Sequence, residues 1–247
     1  MKIRKERKTT SKFNHLQSIS EEAREAFHKW LSLQQGFKVD IDYLHADKEW
    51  FESLVQHGSW LKDTHIDVAF YFFRKQIIEK PHAFSQNFTT TNTMFWKNVK
   101  ARSEKHAKKW NQTDDILVDC VNGLHLIPSM KWSEVGIIYV PINVRSINSD
   151  NQPNGVIIPL AKVLPRVLHA TSYYGKSSDP KSEKQWDIER LHDVPQQEYD
   201  GNCEMFLIKY AEYLMHDHPF SSLIDARIDW FREKMTIELF YFKILPM

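Results

Sequence analysis

Cysteine is scarce: Cys120 and Cys203 are the two in 247 residues. That number excludes a disulfide framework and a thiolate-rich zinc site, and leaves room for one packing thiol and one reactive thiol. No apolar run approaches the roughly 20 residues that span a bilayer, and the charged N-terminus is not followed by the apolar core of a signal peptide. An intracellular protein without membrane contact is expected. Charge of one sign is also missing, because 33 Lys and Arg face 32 Asp and Glu and leave +1. A nucleic-acid partner is therefore not expected from the chain as a whole. The basic excess is local, with Lys2, Arg4, Lys5, Arg7, Lys8 and Lys12 against Glu6, and residues 1–17 read as a solvated, disordered tail. A nuclear-import or nucleic-acid tail is the alternative, and it makes the nucleus preferred over the cytoplasm. None of the 12 histidines sits in an HExxH or Cys-containing spacing, so no metal and no cofactor is expected. The sequence does not fix an oligomeric state.

What is present is enough apolar material for a sizeable core, at 42% hydrophobic and 13% aromatic residues. Ser18 to Glu21 reads as a capping box before Ala23, Ala26, Phe27, Trp30 and Leu31, which predicts a helix ending near Gly36. A second helix is predicted from Asp47, with Trp50, Phe51, Leu54 and Val55 inward and Gly58 as its stop. Asp63 or Thr64 is expected to cap a third, whose inner face is Ile66, Ala69, Phe70 and Phe73. Residues 89–92 read as a polar break before a lysine-rich amphipathic helix running to Trp110. The β-branched runs at 116–118 and 136–143 are predicted to be neighbouring strands, with Cys120 as a core filler. Residues 144–155 spell a polar loop, 159–174 a helix interrupted or restarted at Pro165, and 175–185 a charged loop. A strongly apolar helix is predicted over 203–216, and a last one from Asp225 that turns Ile228, Phe231, Met235, Leu239 and Phe242 inward and Arg227, Arg232, Glu233 and Lys234 outward. No linker or repeat divides residues 18–247, which predicts a single domain.

The stretch that carries chemistry is 194–206, where a loop rich in amides and turn formers runs directly into Cys203 at the start of the apolar helix. Unpaired backbone N–H groups and about half a positive charge at a helix N-terminus favour a thiolate and any oxyanion formed beside it. A buried helix cysteine is the alternative reading of Cys203.

Several motifs, in order, resemble the ubiquitin-like proteases, cysteine peptidases that process SUMO-type modifiers, and especially plant members found with transposable elements. Trp60, Leu61, Asp63 and Thr64 resemble the family's WLxDT segment, and 139–143 resembles the strand leading to its catalytic histidine. Pro195, Gln196 and Gln197, followed after five residues by Cys203, are similar to its PQQ(x5)C, and 207–215 to the helix behind it. The resemblance spans 50–247. It implies an α+β fold, a papain-like or adenoviral-proteinase-like core in which a central buried helix carrying Cys203 lies against a small mixed sheet, with accessory helices in front. It further implies Cys203 as nucleophile, Gln197 as oxyanion donor at about 3 kcal/mol, and Trp60 and Asp63 as grips for the tail of a ubiquitin-like modifier or its conjugate.

Departures from the family are equally specific. No His-Trp pair and no following Asp strand appear in the 15 residues between Asn143 and Pro159, so the sheet is read as truncated by two strands, through a true deletion or an omitted coding segment. Asp150, His169 and His192 are the local substitutes considered for the triad's missing members, none with a reason to reach the sulfur. Glu204 stands where the family has glycine, and Asn202 where it has aspartate. Weak or absent hydrolysis is expected, with a modifier-binding pseudoenzyme as the alternative and a nucleic-acid-associated mobile-element remnant as the second.

Overall fold

Eleven side chains between His65 and Ile77 are buried, Ile66, Val68, Ala69, Phe70, Phe72 and Phe73 among them, so helix α3 (Asp63–Glu79) of the computed structural model is enclosed around most of its circumference. The structure describes residues 14, 16–33, 37–104, 115–142, 153–171, 173–176, 181–189, 194–195 and 201–242. The one-sided face expected for this helix is too narrow, because Asp67, Arg74 and Gln76 are buried as well. Each has a reason to be there. Asp67 accepts from the Thr93 amide at 2.7 Å and from its hydroxyl at 3.1 Å, which fixes the start of α4 (Thr93–Glu104). Arg74 donates to Thr90 Oγ1 at 2.7 Å and to the Pro128 carbonyl at 3.0 Å.

In front of α3 stand α1 (Glu21–Ser32) and α2 (Lys48–Val55). The α1 cap is Ser20, whose hydroxyl accepts from the Ala23 amide, and Asp47 caps α2 as expected. Neither Asp63 nor Thr64 caps α3. His65 reaches back instead: its Nδ1 accepts from the Lys62 amide at 3.0 Å, while Nε2 donates to the Trp50 carbonyl at 3.0 Å. Thr64 Oγ1 takes the Trp50 indole N–H at 3.0 Å.

The β component is slight. Strands β1 (Val39–Asp40) and β2 (His45–Ala46) pair antiparallel. Strand β3 (Phe88–Thr90) pairs parallel with β4 (Ile137–Tyr139), Thr89 opposite Ile138. The expected strand at 116–118 is instead helix α5 (Ile116–Val121). The Asp115 carboxylate accepts from the Leu117 amide, and the buried Leu117, Val118, Cys120 and Val121 fall on helical spacing, so cap and packing override β propensity. The partner of β4 is β3, drawn from the segment read as a polar break.

Helix α6 (Pro153–Ala170) starts inside the expected loop and runs through Pro159 and Pro165 without a break; the rest of that loop lies outside the described residues. The short α7 (Tyr173–Lys176) follows. Helices α8 (Cys203–Met215) and α9 (Ile228–Phe242) complete the larger apolar cluster, with α1, α2 and α3. A second cluster joins α4, α5 and α6. Their charges correct an expectation: Arg232 and Lys234 are buried, not outward. Lys209 is paired with Glu212 and lies 4.4 Å from the Phe231 ring, and Lys234 is paired with Glu238 at 2.6 Å. The polar arcs of α8 and α9 are turned inward, and burial pushes the Glu238 carboxyl up to about 7.

Candidate active site

Cys203 is the first residue of α8, and two residues before it set its position. Gly201 has φ +92, and a Cβ added there would lie 2.2 Å from the Gly58 carbonyl oxygen. Only glycine allows the turn before the cysteine to meet the α2–α3 loop backbone to backbone. Asn202 is buried; its Nδ2 donates to Asp225 Oδ1 at 3.4 Å instead of capping the helix.

The guanidinium of Arg232 enters this junction from α9. Its Nη1 donates to the Leu54 carbonyl at 3.2 Å, and Nη2 to the carbonyls of Ser59 and Gly201, both at 2.6 Å, and to Asn202 Oδ1 at 3.4 Å. Sequence reasoning placed this residue outside. The available signal was its spacing, since position 232 shares the i, i+4, i+7, i+11 face of Ile228, Met235 and Leu239.

The thiol faces the wrong neighbour for activation. Cys203 Sγ donates to Glu204 Oε2 at 3.1 Å, while the backbone N–H groups of Glu204 and Cys203 act on it in the opposite sense. Burial, then the Glu204 hydrogen bond and charge, push the Cys203 thiol up to about 12. The helix N-terminus was expected to favour the thiolate, yet a carboxylate in contact outweighs half a dipole charge. Glu204 is itself buried, and its Oε1 has no hydrogen-bond partner among the described residues. Along α8, Cys203, Leu207, Tyr210 and Leu214 form a half-buried stripe.

The other expected residues are distributed unevenly. Trp60 follows Ser59 directly and is 48% exposed, while Leu61 beside it is fully buried and anchors the loop. Asp63 opens α3 and accepts from Lys97 Nζ at 2.6 Å. The loop carrying Trp60 and the turn carrying Cys203 are thus joined through Gly58, Ser59 and Arg232. Gln197, Asp150 and His192 lie outside the described residues. His169 is paired with Glu183 at 3.1 Å. His65 is buried and His216 half-buried, and desolvation holds them down to about 3 and about 4. Among the described residues no cluster of three His, Cys, Asp or Glu side chains is placed to hold a metal, and no helix is long and apolar enough to cross a membrane.

Residues 156–241 match the Ulp1 protease family, C-terminal catalytic domain. The chain is 25% identical over 174 residues to the ubiquitin-like-specific protease ESD4 of Arabidopsis thaliana, covering 63% of this chain and 32% of that protein. It is 24% identical over 196 residues to human sentrin-specific protease 2, covering 75% of this chain and 31% of that one. The chain therefore spans about a third of the length of these curated relatives. Among solved structures, the C-terminal Ulp1 protease domain in complex with Smt3, the yeast ortholog of SUMO, aligns with a TM-score of 0.63 at 17% identity over 91% of this chain and 96% of that one. That likeness shows the fold, an α+β architecture in which, among the described residues, helices predominate and strands are few. The chain is thus similar to the ubiquitin-like proteases, with the family match lying over residues 156–241.

Proposed function

We propose that this chain is a cysteine-type peptidase domain that takes the C-terminal tail of a SUMO-like modifier and hydrolyses the peptide or isopeptide bond after its last glycine, slowly. Supporting this reading is the junction that holds the Trp60 loop against the turn opening α8, so that a tail gripped at Trp60 and Asp63 runs toward Cys203. Cys203 Sγ attacks the glycine carbonyl, and the Gln197 side-chain amide and the Cys203 backbone N–H receive the oxyanion. Attack requires the thiolate. With the thiol pushed up to about 12, the thiolate is a fraction of roughly 10⁻⁴ to 10⁻⁵ near neutral pH.

A second reading, binding of the modifier without cleavage, is favoured by one observation: the thiol proton is held by Glu204. Under either reading residues 18–247 act as one domain inside the cell, and the basic tail favours the nucleus.

Incubation with SUMO carrying a C-terminal vinyl sulfone, alongside titration with unmodified SUMO, tests both. A slow adduct lost in Cys203→Ala, with affinity reduced at least about tenfold in Trp60→Ala, supports the peptidase. Trp60-dependent binding without an adduct selects the second reading. Absence of binding to SUMO or other ubiquitin-like modifiers defeats both.

A further inference from the structure

Among the described residues no carboxylate forms an ion pair with Arg232, although its side chain is fully buried and Asp229 and Glu204 act on it from farther away. A buried guanidinium is costly unless its donors are used; here Nη1 and Nη2 go to four acceptors on two separate segments, while Nε has no partner among the described residues. Leu54 and Ser59 belong to the end of α2 and the loop after it; Gly201 and Asn202 belong to the turn before Cys203. The backbone contact of Gly58 with Gly201 leaves no room between those segments for another side chain. An apolar residue at 232 would fill the space and abandon the Ser59 and Gly201 carbonyls together. No other described side chain donates to both segments.

We propose that Arg232 is a positioning residue that sets the register between the Trp60-bearing loop and the turn presenting Cys203, so that tail grip and nucleophile placement move as one unit. The proposal deepens the functional reading above and rests on it for the roles of Trp60 and Cys203. It assigns no chemistry to Arg232, whose hydrogen bonds go to three backbone carbonyls and the Asn202 side chain. The carbonyls it holds lie one residue before Trp60 and two residues before Cys203. Loss of the guanidinium should therefore loosen both ends at once and leave the interior of α3 alone. Lysine retains a donor but lacks the fork that reaches both segments, so it should restore only part of the effect.

Amide hydrogen exchange on the whole chain tests this without any modifier. In Arg232→Met, the amides of 59–61 and of 201–203 are expected to exchange at least about tenfold faster together, with the interior amides of α3 unchanged, and Arg232→Lys is expected to fall between. Faster exchange in one segment alone, in neither, or uniformly through the protein overturns the proposal, as does failure of both variants to fold. A parallel titration of the same proteins with SUMO is expected to show the affinity falling with the exchange effect. If wild type binds no SUMO while the coupled exchange appears, the functional reading fails and the coupling stands.

Discussion

Cys120 and Cys203 occupy opposite kinds of place, yet their thiols are pushed up to the same value, about 12. Cys120 is near the end of α5 in the cluster with α4 and α6, 3% exposed. Burial dominates its shift, with the Asp119 charge adding to it. Cys203 is half-buried at the first position of α8, where a thiolate should be favoured. There burial is joined by a direct hydrogen bond to Glu204. The comparison shows that a helix N-terminus confers reactivity only if the contacts around the sulfur permit it. An adjacent carboxylate makes a well-placed cysteine resemble a core filler.

The two regions differ in what their geometry tolerates, and the largest expected effect follows from that. Gly201→Ala introduces a Cβ 2.2 Å from the Gly58 carbonyl at a backbone with φ +92. A loss of about 3 kcal/mol in urea unfolding is expected. A loss under about 1 kcal/mol would mean that the turn before Cys203 yields, and that the site is not rigidly set.

Serine at each cysteine breaks the comparison directly. Cys120→Ser buries a hydroxyl among Phe95, Val99 and Leu117, and should cost about 1–3 kcal/mol. Cys203→Ser keeps the Glu204 partner and partial exposure, so its effect should stay within about 0.5 kcal/mol. Equal losses would mean that Cys203 is as much a core residue as Cys120.

Glu204→Gln separates the causes of the shared shift. It removes the carboxylate charge while keeping the side chain's shape, so the Cys203 thiol should fall toward its ordinary range. Iodoacetamide labelling at pH 8 should then rise about tenfold, equivalent to one pKa unit or about 1.4 kcal/mol, with Cys120 still unlabelled. In wild type the protonated thiol is favoured, so labelling should climb with pH through pH 10 without levelling. The same sign governs stability: the contribution of the raised thiol is complete below the ordinary cysteine value and is lost as pH rises toward about 12. Unchanged labelling in the variant would assign the shift to burial alone.

How far the sequence could be read depended on whether the deciding contact was local. Ser20, Asp47 and the apolar spacing of α1, α2 and α8 are local, and those helices are where they were expected. Ile116, Leu117 and Val118 looked like a strand because β-branched residues suggest one, while the hydrogen bond from the Asp115 cap favoured a helix. Thr89 and Thr90 looked like a break because threonine is polar. In β3 they are buried, and the Thr90 hydroxyl donates to the Phe70 carbonyl while accepting from Arg74. Its strand partner lies 49 positions on, beyond any local pattern. Arg232 and Lys234 were placed outside by their charge, but carbonyls on other segments accept from Arg232 and Glu238 on α9 itself pairs with Lys234.

The sequence by itself determined the place of Cys203, the apolar helix it opens, the motifs before and after it, and the lack of a His-Trp pair after Asn143, because these are matters of residue type and spacing. Only the tertiary structure decided the state of that thiol. The Glu204 carboxylate rests on the sulfur, and a guanidinium from α9 ties the turn before Cys203 to the loop before Trp60. Protonation and register depend on distances between groups that the order of residues does not specify.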